Sequence, residues 1–265
     1  MNIYRKELKS HRKSLIFWCI GVILMVASGM NKYSSLYSSG QSMNDLMGDM
    51  PKSMQAIMGV GAFDLSKASG YYGMLFLYLV LMATIHAAML GATIIAKEER
   101  DKTSEFLFVK PVSREKIITA KLLAALTNIV IFNLVTYASS VIIVGKVSDG
   151  EKINGDIAIT MLGMFILQLL FMMIGSTISA FKKQPKTAAS VATAILLLTF
   201  VLSVVIDLNE DLDVLKYLTP FKYFEAKHMM VGEGLEAVSV VLSLIITAVL
   251  TYGTFAFYKK RDLNG

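Results

Sequence analysis

Cysteine, proline, histidine and charge are all scarce in this chain. A single cysteine, Cys19, excludes a disulfide scaffold and any cysteine-based metal site. Four prolines and 18 glycines in 265 residues exclude collagen-like and low-complexity chains. The only histidines are His11, His86 and His228, and the sequence holds neither HExxH nor G-x-S-x-G, so hydrolase motifs are missing. A G-x-x-x-x-G-K-[ST] loop is also missing, so the chain does not itself bind ATP in the P-loop manner. Charged residues make up 17%, where a soluble chain carries about 25%. With 55% apolar residues and a mean hydropathy of +0.58, disorder is excluded and a soluble globular domain nearly so. The chain's main solvent is lipid.

What is present in place of charge is length without it. Six stretches contain no Asp, Glu, Lys or Arg: 14–31, 71–96, 122–145, 157–181, 187–206 and 237–258. A bilayer core of about 30 Å needs about 20 apolar residues per helix. One such charge at mid-membrane costs about 2.5–3.5 kcal/mol, so six clean windows predict six transmembrane helices. Strands are excluded as spanning units unless they close into a barrel, because unpaired backbone groups cannot be left in lipid. The fold expected is all-α and polytopic.

The basic residues then set the orientation. With the N-terminus inside, residues 1–13, 97–121, 182–186 and 259–265 carry 18 of the 26 Lys and Arg, and the opposite segments carry 13 of the 20 acidic residues. Both termini are expected in the cytoplasm of a cell (inner or cytoplasmic) membrane. The net charge of +6 is therefore a topology signal, not a nucleic-acid footprint, which would need base-stacking aromatics among the basic residues. The first span ends in Ala27-Ser28-Gly29, as a cleaved signal would, but five spans follow and an uncleaved anchor is the more natural reading.

Between the spans, residues 2–13 read either as a short interfacial helix on an anionic leaflet or as a positive flank that fixes topology. In the outer loop, Met43, Met47, Met50, Met54 and Met58 recur at helical spacing. Thioethers select Cu(I), but Leu46 and Ile57 share the stripe, and adaptable apolar filling is the stronger reading. Segment 97–121 divides by capping rules. Thr103 caps a short helix with Glu105 in its first turn and Pro111 ending it, and Ser113 caps the next, with Glu115 near its positive end. Phe106, Leu107 and Phe108 stand out on an otherwise charged segment, either as a docking site for another protein or as a membrane-resting face. Segment 207–236 turns from acidic to aromatic around Pro220, Phe221, Tyr223 and Phe224. It reads either as short helices re-entering the membrane or as an interfacial anchor.

Inside the spans, His86 is the one ionisable group apart from Cys19 and tyrosines. It sits among Ala83, Ala87, Ala88 and Gly91, a small-residue face suited to helix–helix hydrogen bonding more than to proton relay. Asn128, Asn133 and Gln168 read as packing glue. Six spans without an engine of their own point to energy supplied by a partner.

The order of parts resembles the permease subunits of ABC-2 type transporters, the type V exporter fold. KELKSHRKSL looks like the family's elbow helix, and EERDKTSEFLFVKPVSREKIITAK resembles its cytoplasmic signature. MPKSMQAIMG, YLTPFKYFEA and YKKRDL match family habits in the first outer loop, before the last span and at the C-terminus. Lys102-Thr103 departs from the frequent Gly-Thr, which permits a tight turn into the short helix. The resemblance covers the whole chain as a single domain: elbow helix 1–13, coupling-helix segment 97–121, outer gate segment 207–236 and the six spans.

The resemblance implies a non-catalytic subunit of an ATP-hydrolysing complex, with no cofactor in this chain and ATP and Mg bound by the partner. Two ABC ATPase subunits, a second permease (an identical copy or a paired different one) and membrane lipids are the implied partners, with no nucleic acid. Glu99, Thr103, Glu105, Phe106, Leu107, Phe108, Pro111 and Arg114 would dock the ATPase. Met82, His86, Met89, Pro220, Phe221 and Phe224 would line the path or its outer gate, and no residue would hold a metal. The cargo implied is amphipathic, peptide-, drug- or lipid-like. A non-transporting scaffold or sensor that recruits an ATPase, and an ion-coupled carrier, are the competing classes.

Overall fold

The computed structural model describes residues 2–38, 43–60, 63–101, 112–148, 150–151, 153–182, 187–230, 232 and 234–260. Six long helices dominate it: α1 (Ile3–Ser38), α4 (Ala68–Arg100), α5 (Arg114–Gly145), α6 (Asn154–Phe181), α7 (Ala188–Leu208) and α9 (Ala237–Lys260). All six are long and apolar enough to cross a membrane, and no strand occurs among the described residues. Two short helices, α2 (Met43–Gly48) and α3 (Lys52–Met58), fill the first outer loop. Between α7 and α9 lie two 3₁₀ stretches, Glu210–Leu218 and Pro220–Lys222, and the one-turn α8 (Ala226–Met229).

Five of the long helices contain the whole uncharged window expected for them, α7 starts one residue after the beginning of its window, and all six extend into charged residues. The start of α5 follows its capping signal. The Ser113 hydroxyl accepts from the Lys116 N–H at 3.3 Å, and Glu115 occupies the first turn, where its charge suits the helix's positive end.

The N-terminus differs from expectation. Residues 2–13 are not a separate helix here, because Ile3–Ser38 runs as one helix of 36 residues, about 54 Å at 1.5 Å per residue. No proline or glycine interrupts residues 3–20. The buried Glu7, paired with Lys97 at 3.1 Å, holds the first turns in line with the span.

The most extensive helix pairing in the bundle is α4 with α6, and glycine makes it possible. A Cβ on Gly91 would lie 2.0 Å from the Met172 carbonyl oxygen, and one on Gly175 would lie 2.2 Å from that of Ala88. Backbones this close, lined by small residues, give the dispersion contacts that hold helices together in lipid. Across the bundle, Tyr72 donates to Ser140 Oγ at 2.9 Å, and Asn133 donates to Gln168 Oε1 at 3.2 Å. The Thr177 and Thr254 hydroxyls share a bond at 2.9 Å. Asn133 and Gln168 thus act as the expected glue between α5 and α6, whereas Asn128 bonds its own helix at Ala124 O.

One end of the bundle gathers both termini. Arg114 donates to Lys259 O at 3.0 Å, Lys259 pairs with Glu115, and Glu7 meets Lys97. At the far end, the first outer loop is tied by Asp64, whose Oδ1 accepts from Ser66 Oγ at 2.6 Å and from Asn44 at 2.8 Å. Those bonds hold the Asp64 carboxyl below the usual carboxylate range.

Candidate functional site

At the far end, the chain leaving α7 doubles back on the bundle. The Thr219 hydroxyl donates to Thr199 O at 2.7 Å, nine residues before the end of α7 and so about 13 Å below it. Phe221 follows, wedged between Phe171 and Phe200 at ring-centroid distances of 5.3 and 5.4 Å. The segment thus folds back along α6 and α7. Pro220, Phe221, Tyr223 and Phe224 are all buried, and Pro220 begins its 3₁₀ turn, where its missing N–H costs nothing.

The folded-back segment is clasped by charge. Lys222, with a side chain only 7% exposed, pairs with Asp207 at the end of α7 and with Glu225 at 2.5 Å. Burial alone would lower the Lys222 pKa, but the Glu225 and Asp207 carboxylates outweigh it and hold it above the usual lysine value. Glu225 also meets Lys227 at 3.1 Å. Tyr223 donates to Tyr217 O, closing the loop on itself.

Cavities flank this clasp. One, of about 380 Å³, lies between α3, α4 and α7. Phe76, Leu77, Val80 and Val204 form its apolar walls, Phe221 and Phe224 close it, and Lys52, Asp207, Glu225 and Lys227 add charge. The other, of about 700 Å³, shares Asp207, Phe224, Glu225 and Lys227, is also lined by Lys222, and extends toward Glu236 at the start of α9. The segment therefore has open space on both sides.

The other path candidates lie elsewhere. His86 is 3% exposed, with its ring between Trp18 of α1 and Phe132 of α5 at 5.3 and 5.0 Å. Met82 sets its terminal methyl over Gly21 of α1. Met89 is 39% exposed and, with His86, lines a cavity of about 270 Å³ between α1 and α4. Phe221 and Phe224 are thus brought together at one cavity, with Pro220 beside them. Met82, His86 and Met89 stand apart, against α1.

At the termini end, Glu7 is 1% exposed and lies 3.1 Å from Lys97, 3.9 Å from Lys121 and 3.8 Å from His11. Lys121 is fully buried and also donates to Ile94 O at 2.5 Å. This cluster joins α1, α4 and α5 on either side of segment 102–111. The sequence carried one signal for it: Glu7 is the only acidic residue among five basic ones in 2–13. Of the docking residues, Glu99 lies in the last turn of α4, and Arg114 starts α5 bonded to Lys259 O. Thr103, Glu105, Phe106, Leu107, Phe108 and Pro111 fall outside the described residues.

In the methionine stripe, Met47 and Met58 pack on the core, as apolar fillers do. No group of three or more His, Cys, Asp or Glu that could hold a metal occurs among the described residues.

Six membrane-length helices, with a segment that folds back on the bundle between the last two, define a multi-pass membrane protein. The model of the ABC-2 family transporter protein matches residues 1–263, and the chain belongs to that family. No curated protein matches it. The family defines an ABC permease that associates with ABC ATPase subunits.

Proposed function

We propose that this chain is the membrane subunit of an ATP-driven exporter, moving an amphipathic, peptide-, drug- or lipid-like cargo through a route that ends at the clasped re-entrant segment. The observation that carries the reading is the 380 Å³ cavity between α4 and α7, the second and fifth spans, closed by Phe221 and Phe224. Its apolar walls and charged mouth suit a cargo with both characters. A naked ion would find little compensation for its lost hydration there.

Two identical permeases sit on two ATPase subunits, with both termini in the cytoplasm, in keeping with the basic residues at that end. ATP and Mg bind to the ATPases. The coupling segment 97–121 docks in them through Phe106 and Phe108. The displacement reaches the spans through the Glu7–Lys97–Lys121 cluster, which grips the two ends of that segment in α4 and α5. At the far end, separation of Lys222 from Asp207 frees the segment from α7, and the adjoining 700 Å³ space receives it.

The test is ATPase stimulation in the reconstituted complex. Phe106→Ala with Phe108→Ala should leave insertion and permease dimerisation intact while abolishing stimulation by cargo. Normal stimulation and transport in the double variant would remove the coupling role from this segment. If the wild-type complex hydrolyses ATP without moving any amphipathic cargo, the chain is a scaffold.

A further inference from the structure

The cavity between α1 and α4 at the termini end is separate from the proposed route and has the anatomy of a lipid site. Its walls are a stripe of α1 with His11, Leu15 and Trp18 and a stripe of α4 with Met89, Lys97 and Arg100, with Asn128 of α5 completing the lining. The chemistry changes along its length. Trp18, Leu15, Met89 and Leu90 make the inner half apolar, and Lys97, Arg100 and His11 stand at the outer end. Its described lining contains no acidic residue. Lys97 is paired with the underlying Glu7, and a single Nε bond takes Arg100 to Asp101 at 3.1 Å, which leaves the Nη donors of the guanidinium fork for an oxyanion.

At the inner end, the largely buried His86 ring forms part of the wall beside Trp18. Met89 on the groove's wall is 39% exposed, and α1 carries the exposed apolar side chains Ile16 and Phe17, 50% and 83% exposed.

We propose that this groove binds a membrane lipid with an anionic phosphate headgroup. The phosphate lies against Arg100 and Lys97, and the acyl chains run past Trp18 onto the apolar flank of α1. A volume of about 270 Å³ suits the headgroup end of a lipid, not a whole one.

Trp18 is the only tryptophan in the chain, so its fluorescence reports occupancy directly. The full-length protein in detergent is titrated with dibrominated phosphatidylglycerol, dibrominated phosphatidylcholine, or inorganic phosphate in competition. Saturable quenching by phosphatidylglycerol at concentrations where phosphatidylcholine does not quench is expected. Arg100→Gln should weaken it about tenfold, the loss of one charge-assisted bond. Arg100→Lys keeps the charge, loses the fork and should weaken it about threefold. Unchanged Trp18 emission without lipid shows that each variant is folded around the site. Equal quenching by both lipids, quenching by neither, or midpoints unmoved in both variants would overturn the proposal. Full displacement by inorganic phosphate at lipid-like concentration would make the groove a simple anion site and overturn it as well.

Discussion

The two ends of the bundle both use a buried charge network, but they use it differently. At the termini end, Glu7 and Lys121 are 1% and 0% exposed, and the network joins three separate spanning helices. At the far end, Lys222 is almost as buried, but Asp207 and Glu225 are 36% and 21% exposed, and cavities lie on both sides. A charge pair fully removed from water is costly to break, because the survivor is left buried and uncompensated. A pair whose carboxylates reach solvent can part and be rehydrated cheaply. The first arrangement suits a rigid joint that transmits motion and the second a catch that opens.

The contrast can be broken first at the joint. Glu7→Ala leaves Lys97 and Lys121 facing each other and should cost about 3–5 kcal/mol, seen as a large fall in the thermal midpoint of the purified chain. The α4–α6 seam comes next. Gly91→Ala places a Cβ against the Met172 carbonyl oxygen and should cost about 1–3 kcal/mol by overpacking, with the helices forced apart. Lys222→Met, at the catch, should change stability by no more than about 1 kcal/mol, since water takes up the freed carboxylates. It should instead raise cargo-independent ATPase activity, because the segment is no longer held to α7. A fall in midpoint as large as that of Glu7→Ala would erase the distinction between the two ends.

The smallest effect is at Asp64. Its carboxyl pKa is lowered in the folded chain by bonds from Ser66 and Asn44, so its contribution is fully present above the ordinary Asp value of about 3.8. It is lost as pH falls through the lower folded value. Proteolysis of the outer loop should therefore be unchanged from neutral pH to about pH 5 and increase only under strong acid. Asp64→Asn should reproduce the acid pattern at neutral pH.

The spans were legible because membrane insertion is read locally: a window without charge is a helix whatever it packs against. The same holds for the start of α5, where Ser113 and Glu115 act within one turn. The Glu7 joint was not legible, because its partner Lys97 lies 90 residues away and nothing local separates a pairing acid from a solvated one. The separation of His86, Met82 and Met89 from Phe221 and Phe224 was equally hidden. Helical position tells that His86 lies on a small-residue helix, but α6 takes Gly91 and Ala88 while Trp18 and Phe132 take the imidazole. Continuity of α1 through residues 13 and 14 depended on Glu7 finding Lys97, and so failed for the same reason as the joint.

The most direct test of the transport route is to fill it. Val204 is half-buried on α7 and lines the 380 Å³ cavity, so Val204→Trp adds bulk there with little cost to the helix packing behind it. In vesicles carrying the permease with its ATPase subunits, ATP-dependent movement of a fluorescent amphipathic cargo should fall at least about tenfold, equivalent to about 1.4 kcal/mol on the barrier. Assembly and basal ATP hydrolysis should persist. Undiminished transport by a properly assembled Val204→Trp complex would show that cargo does not pass through this cavity and would contradict the account.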